Sequence, residues 1–326
     1  MNRAVNAAVR GSGVGFALLG VIIGASVASA ATRSHATTAA PSKVATPTQI
    51  AHAVAAARLI KSLPSDVEPS LKDAINDNGY PQAYAQKCEA EPEKVTMPAC
   101  VYGDPAGKKT MVLFGDSHAE MWLPGFDALA KRLHWKLIYL AKSGCPPAYL
   151  AAWDPFRNRF PFTECDQWHA YATARIRKTK PNLLVLTDEY DTPEGKGRVQ
   201  IQPPQWTAGL VKTLKLSAAP GTRTVILGDM PYLTQSAPEC LAAHQNDVQA
   251  CSASPKDAVR ADHVAAESTA AKLAHAKYIN VEPWFCSTTT CTAVVASKIV
   301  YSDQFHMTGT YGTYLSGALQ AALGLG

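Results

Sequence analysis

The chain has 326 residues, enough for one large domain or two modest ones, so size sets no limit on building a core. Hydrophobic residues make up 47% and charged residues 17%, a globular balance, and no internal segment is apolar over a length that would span a bilayer. The net charge of +5 shrinks once residues 1–30, with Arg3 and Arg10, are set aside, leaving 29 basic against 26 acidic residues; the basic residues form no stripe, which leaves nucleic acid without electrostatic support as a partner.

Residues 1–30 have the pattern of an export signal. Arg3 and Arg10 make a basic start, Val14 to Val27 is an apolar run, and Ala28-Ser29-Ala30 offers a small-residue cleavage site. The competing reading is an uncleaved membrane anchor, since the run from Gly11 to Ala31 approaches the ~20 residues a span requires. Either reading delivers the remainder outside the cytoplasm, secreted or tethered to the outer face of the cytoplasmic membrane. Residues 31–49, rich in Ala, Thr, Ser and Pro, read as a flexible linker. Residues 50–107 read as a helical and cysteine-looped lead-in. It comprises a helix from Ile50 to Leu63 ended by Pro64, a second from Ser65 through Ile75, and a loop from Cys88 to Cys100.

The main domain is expected over residues 108–326. A strand from Thr110 to Gly115 leads into a helix whose apolar face carries Trp122, Phe126, Leu129 and Leu133 at helical spacing. A strand from Trp135 to Ala141 follows, then an irregular loop to Cys165 and a helix over Gln167 to Arg177. Asn182 to Thr187 is continuously apolar, as a strand buried on both faces should be. A helix over Trp206 to Leu216, a strand from Arg223 to Gly228, a helix over Ala258 to Lys277 and a strand from Tyr278 to Glu282 complete the series. Strands alternating with helices at this spacing predict an α/β fold, a mostly parallel sheet covered on both faces.

All eight cysteines lie after residue 30, and their number is even, which favours disulfides in an oxidising compartment. They fall into four sequence-local couples: Cys88 and Cys100, Cys145 and Cys165, Cys240 and Cys251, Cys286 and Cys291. Local pairing is one of 105 connectivities that eight cysteines allow. The absence of a Cys-x-x-Cys pair weakens a zinc reading.

In open parallel sheets, sites form beyond the carboxyl ends of the strands. There the sequence places Asp116-Ser117, Ser143-Gly144-Cys145, Asp188-Glu189-Tyr190 and Asp229-Met230-Pro231. Ser117 sits where a strand gives way to a helix, a position suited to a nucleophile and to stabilising an anion. Asp303 and His306 lie three residues apart near the C-terminus, close enough for the carboxylate to orient the ring. Asp116 can cap the helix that follows it, His118 can touch substrate or merely pack, Tyr190 and Trp122 suit walls, and Asp229 is a pocket candidate. His169, His244, His263 and His275 lack partners at useful spacing and read as surface residues. Asp188, Glu189 and Asp191 read as a solvated acidic rim.

The block Gly115-Asp116-Ser117-His118-Ala119 after a first strand, with Asp303-x-x-His306 near the C-terminus, resembles the SGNH (GDSL-like) hydrolase superfamily. The sequence is most similar to the SGNH domains attached to, or working with, membrane-bound family-3 acyltransferases. Cys145-Pro146-Pro147 after the second strand, the cysteine couples and Tyr301-x-Asp303-x-x-His306 carry that finer likeness, over roughly residues 85–326. The resemblance implies a flavodoxin-like three-layer α/β/α sandwich preceded by a short helical segment. It implies Ser117 as nucleophile, His306 as base and Asp303 as its orienter, with the N–H groups of Ser117 and Gly144 as oxyanion hole. Asp116, His118, Tyr190 and Asp229 would line the substrate pocket. One departure stands out. Where the superfamily has Gly-x-Asn after the third strand, this chain has Thr187-Asp188-Glu189-Tyr190, with no asparagine.

The implied activity is that of an extracytoplasmic serine esterase or O-acyltransferase working on acyl groups, acetyl above all, of carbohydrate. No cofactor or metal is implied. The expected partners are an acylated glycan or small acyl ester and a membrane acyltransferase that supplies the acyl group. Two alternatives stand beside it. One is a catalytically weak glycan-binding or partner-docking module of the same fold. The other is a metallophosphoesterase, for which Gly-Asp-x-His is present but the earlier Asp-x-His and later Gly-Asn-His are not.

Overall fold

The computed structural model describes residues 44–79, 83, 86–189 and 201–326. The expected export segment and most of the expected linker therefore lie outside the described residues. Six strands form one sheet: β1 Cys100–Gly103, β2 Lys109–Gly115, β3 Trp135–Ala141, β4 Leu183–Thr187, β5 Arg223–Leu227 and β6 Lys277–Ile279. Their order is β1-β3-β2-β4-β5-β6, with every neighbouring pair parallel except β1 with β3. Without β1, this is the doubly wound order in which the first strand sits between the second and the third. The fold is thus the α/β sandwich expected.

β4 is buried along its whole length, as its unbroken Leu-Leu-Val-Leu-Thr run requires. Helices cover both faces. On one side lie α2 (Ser117–Leu133), α8 (Gly309–Tyr314) and α9 (Ser316–Leu323), with α1 (Pro47–Ala57) packed beyond them. On the other lie α3 (Thr163–Thr179), α4 (Pro203–Ser217) and α7 (Ala261–Leu273), while the short α5 (Ala237–Ala243) and α6 (Pro255–Ala258) belong to the connection between β5 and α7.

Several expectations need correction. The first helix begins at Pro47, not Ile50, because Thr46 and Gln49 form a capping box and proline suits the first helical turn. The helix expected from Ser65 through Ile75 is absent, and only a 3₁₀ turn, Ala74–Asn76, forms there. Pro69 lies in its interior, where it removes a backbone donor and clashes with the preceding turn. Cys100–Gly103, read as loop, is an antiparallel edge strand in register with Lys136 to Tyr139.

The cysteines pair as Cys88–Cys100, Cys145–Cys165, Cys240–Cys251 and Cys286–Cys291. Each bridge closes a short loop, and Cys145–Cys165, separated by 20 residues, holds the irregular segment after β3 against the start of α3. The segment before the sheet is welded on as well. The ammonium of Lys142, just past β3, donates to the carbonyls of Glu91, Pro92 and Lys94 at 2.7, 2.9 and 2.9 Å, and burial lowers its pKa to about 8. Replacing Cys145 and Cys165 together by alanine is expected to cost about 2–4 kcal/mol, chiefly by freeing a 20-residue loop in the unfolded chain. Urea denaturation, with the slope fitted separately for each protein because the freed loop expands the unfolded chain, measures it.

Candidate active site

β2 is flanked by β3 on one side and β4 on the other, so the chain turns in opposite directions from its carboxyl end and leaves a crevice there. Gly115 ends β2 opposite Ala141 and Thr187. A Cβ at Gly115 would fall 2.1 Å from the Thr187 carbonyl oxygen, so only glycine lets the strands close up at this point. Asp116 then caps α2: its Oδ1 accepts from the His118 N–H and its Oδ2 from the Glu189 N–H, both at 2.9 Å. Asp116 therefore ties the nucleus of α2 to the end of β4, and burial raises its pKa to about 6. Ser117 is the first residue of α2, where a backbone N–H has no acceptor within the helix.

Asp303 and His306 arrive from the other end of the chain. After β6, a short hairpin, β7 (Val294–Val295) and β8 (Lys298–Ile299), brings it back toward the crevice. The loop that follows is pinned on both flanks. Ser302 N–H donates to the His306 carbonyl, Leu233 N–H to that of Gln304 and Ala237 N–H to that of Asp303, at 2.9, 2.8 and 3.0 Å. Within the loop, Asp303 Oδ1 accepts from the N–H groups of Phe305 and His306, both at 2.7 Å, and its Oδ2 accepts from His306 Nδ1–H at 2.6 Å. Burial opposes the charge on Asp303, but the ring and these N–H groups hold its pKa below the ordinary value. With Nδ1 protonated, Nε2 is the acceptor, and it lies 2.9 Å from Ser117 Oγ. A hydroxyl, an imidazole and a carboxylate in this relay can transfer an acyl group through serine.

An open cavity of about 530 Å³ lies over this relay, lined by Ser117, Gly144, Glu189, Phe305 and His306 among others. Gly144 has φ +65°, and a Cβ there would meet the Pro155 ring at 2.6 Å, so the loop after β3 needs glycine at this point. The same loop is fixed by Glu89, whose Oε1 accepts from the N–H and hydroxyl of Ser143.

Two further sequence candidates pair with each other. His118 Nδ1 lies 2.5 Å from Asp229 Oδ1, which also accepts from the Met230 N–H, while the Tyr232 hydroxyl donates to Oδ2. Burial works against a charged His118, yet Asp229 raises its pKa to about 10 and is itself held below its ordinary value. The His118 ring sits edge-on to His306, centroids 5.2 Å apart, beneath the relay rather than open to substrate. Tyr190 lies outside the described residues.

Of the acidic residues expected to form a solvated rim, Asp188 does not, and Asp191 lies outside the described residues. Asp188 is fully buried, within ion-pair distance of His263, which also faces Glu267. Burial and the neighbouring Asp188 push Glu267 well above the carboxylate range, so it keeps a proton, and the cluster neutralises itself. His169 is likewise buried, not a surface residue. Its Nε2 donates to the Pro146 carbonyl at 2.7 Å, its ring stacks on Tyr149, and burial lowers its pKa to about 4. His244 and His275 are exposed as expected. The sequence put Glu189 at the strand end where the site forms but gave it only the part of a solvated rim. The structure sets its carboxyl in the cavity, with Oε2 3.5 Å from Ser117 Oγ.

Comparison with known proteins agrees with this architecture. A search of curated protein sequences returned no match. Among solved structures, the lipopolysaccharide acetyltransferase periplasmic domain of Salmonella ser. Paratyphi A superposes with a TM-score of 0.58 at 15% identity, covering 78% of this chain and 98% of that one. A carbohydrate esterase family 2 enzyme with a carbohydrate-binding domain from Corynascus thermopiles (Myceliophthora fergusii) gives a TM-score of 0.39 at 19% identity, covering 70% and 69%. The model of the SGNH domain fused to AT3 domains matches residues 87–320, nearly the whole of the described fold. On that match the chain belongs to the SGNH family, in the branch whose domains occur fused to AT3 domains.

Proposed function

We propose that this chain is an extracytoplasmic serine esterase or O-acyltransferase that handles acyl groups, acetyl in the first place, on carbohydrate. The observation that carries the reading is the relay from Asp303 through His306 to Ser117, 2.6 and 2.9 Å per link, opening into a cavity wide enough for more than the acyl group alone. Ser117 Oγ attacks the ester carbonyl carbon while His306 Nε2 takes its proton. The carbonyl π pair moves onto oxygen, and the tetrahedral adduct collapses as His306 returns the proton to the departing alkoxide. Water or a sugar hydroxyl then repeats the attack on the acyl-serine, and the acceptor decides between hydrolysis and transfer. The N–H groups of Ser117 and Gly144 are the backbone donors proposed for the oxyanion.

Acetyl and saccharide are suggested by the SGNH family and by the Salmonella fold neighbour, a lipopolysaccharide acetyltransferase domain. Four disulfides support an oxidising compartment, and residues 1–30 are the proposed export signal or anchor. A membrane acyltransferase is the proposed source of the acyl group for transfer. The test incubates the purified chain with an acetyl-ester donor, with and without glycans, and follows acetate and acetyl-glycan. Equal rates for wild type and Ser117→Ala would sink the reading. Acetate without acetyl-glycan would assign esterase, and no acyl turnover with intact folding would leave a glycan-binding module.

A further inference from the structure

We propose that Glu189 is a catalytic residue of this site, its carboxyl group acting in the protonated form as a side-chain donor to the oxyanion. The inference rests on the Ser117 reading above and deepens it.

The geometry leaves Glu189 as the available source of a second hydrogen beside Ser117 Oγ. Ser117 has a single O–H, and His306 Nε2, with Nδ1–H committed to Asp303, accepts it at 2.9 Å. Glu189 Oε2 lies 3.5 Å from Ser117 Oγ, at the outer limit of a hydrogen bond, and with the Ser117 O–H turned to His306 a protonated Glu189 is the donor there. The same holds more strongly during reaction. Negative charge develops on the former carbonyl oxygen beside Ser117 Oγ, where an ionised carboxylate would repel it and a carboxylic acid would donate to it. Glu189 is held for that task by its own backbone, since its N–H donates to Asp116 Oδ2 at the head of α2.

The surroundings hold the proton on. Burial is the largest influence and favours the neutral acid, and the carboxylates of Asp116 and Asp229 add to it. The rings of His118 on α2 and His306 on the last loop oppose it, and the balance leaves the Glu189 pKa at about 7. No atom is lost or gained in the step. Glu189 keeps its O–H bond, lends the hydrogen to the oxyanion while the Ser117 proton resides on His306, and releases it when the adduct collapses. The form needed for catalysis is therefore present below about pH 7 and lost as pH rises through that value.

The experiment measures kcat for hydrolysis of p-nitrophenyl acetate from about pH 5 to about pH 9 in wild type, Glu189→Gln, Glu189→Ala and Ser117→Ala, with thermal melting of each. Fluorophosphonate labelling of the wild type, absent in Ser117→Ala, first secures the nucleophile, and its failure would count against the parent reading alone. With labelling secured, Glu189→Ala should lose on the order of 10²-fold in kcat with little change in KM. Glu189→Gln, whose amide donates without titrating, should recover most of that loss, remove the decline above about pH 7, and exceed the wild type at the alkaline end. A glutamine variant as slow as the alanine one, an alanine loss below about fivefold, or an unchanged alkaline limb in Glu189→Gln overturns the proposal.

Discussion

Ser117→Ala is expected to remove acyl turnover almost entirely, by at least about 10⁴-fold in kcat/KM, while leaving the melting temperature within about 2 °C of the wild type. The first half follows from the chemistry, because among the described residues no other hydroxyl donates to His306 Nε2 and the acyl-enzyme has no second place to form. The second half follows from packing. Ser117 starts α2, and the cap that secures the helix belongs to Asp116, whose bonds to the N–H groups of His118 and Glu189 survive the change. A burst of about one alcohol leaving group per wild-type chain, read as p-nitrophenol from p-nitrophenyl acetate and missing in the variant, would be the direct reading. Any residual turnover above about 1% of wild type would mean that the reaction does not pass through this serine.

The second large effect is on stability. Asp229→Asn leaves the buried His118 without its counter-charge, and removing one partner of a buried pair costs about 3–5 kcal/mol. The pH dependence fixes the mechanism. His118 has a folded pKa of about 10 against 6.5 unfolded, so its contribution is complete below about pH 6.5 and is lost as pH rises through about 10. Asp229, held below its unfolded 3.8, contributes above that value and stops contributing as pH falls beneath it. The gap between wild type and variant in urea unfolding should therefore be widest from about pH 4 to about pH 6.5 and close on the alkaline side by about pH 10. A gap that stays constant across this range would show that Asp229 acts through the Met230 N–H and Tyr232 hydroxyl instead.

Much of this was legible in the chain. The strands β2 to β5 announce themselves because a strand buried on both faces has no polar side to hide, as Leu183 to Leu186 illustrates. The Ser117 turn and the Asp303-x-x-His306 spacing were legible because acyl chemistry needs those groups in that relation, and the structure sets them within hydrogen-bond distance. What escaped were features decided by distant partners. His169 is buried because the Pro146 carbonyl meets its ring, and His263 because Asp188 arrives from another strand. β1, only four residues long and half-exposed, carries too little pattern to separate it from a loop. Glu189 sits among acids that read as a wet rim, and only the stacking of β4 beside β2 turns it toward Ser117.

Ser117 and His306 are 189 residues apart, and that separation governs when the site exists at all. A contact between residues so distant forms late, because the ordering of the chain between them must come first. The serine follows directly on the first parallel strand of the sheet, whereas the imidazole belongs to a loop held by the N–H groups of Leu233 and Ala237. On the proposed reading, a chain in which that loop has not yet formed carries an unassisted alcohol at Ser117. The appearance of acyl turnover would, on that same reading, report that this long-range contact has formed.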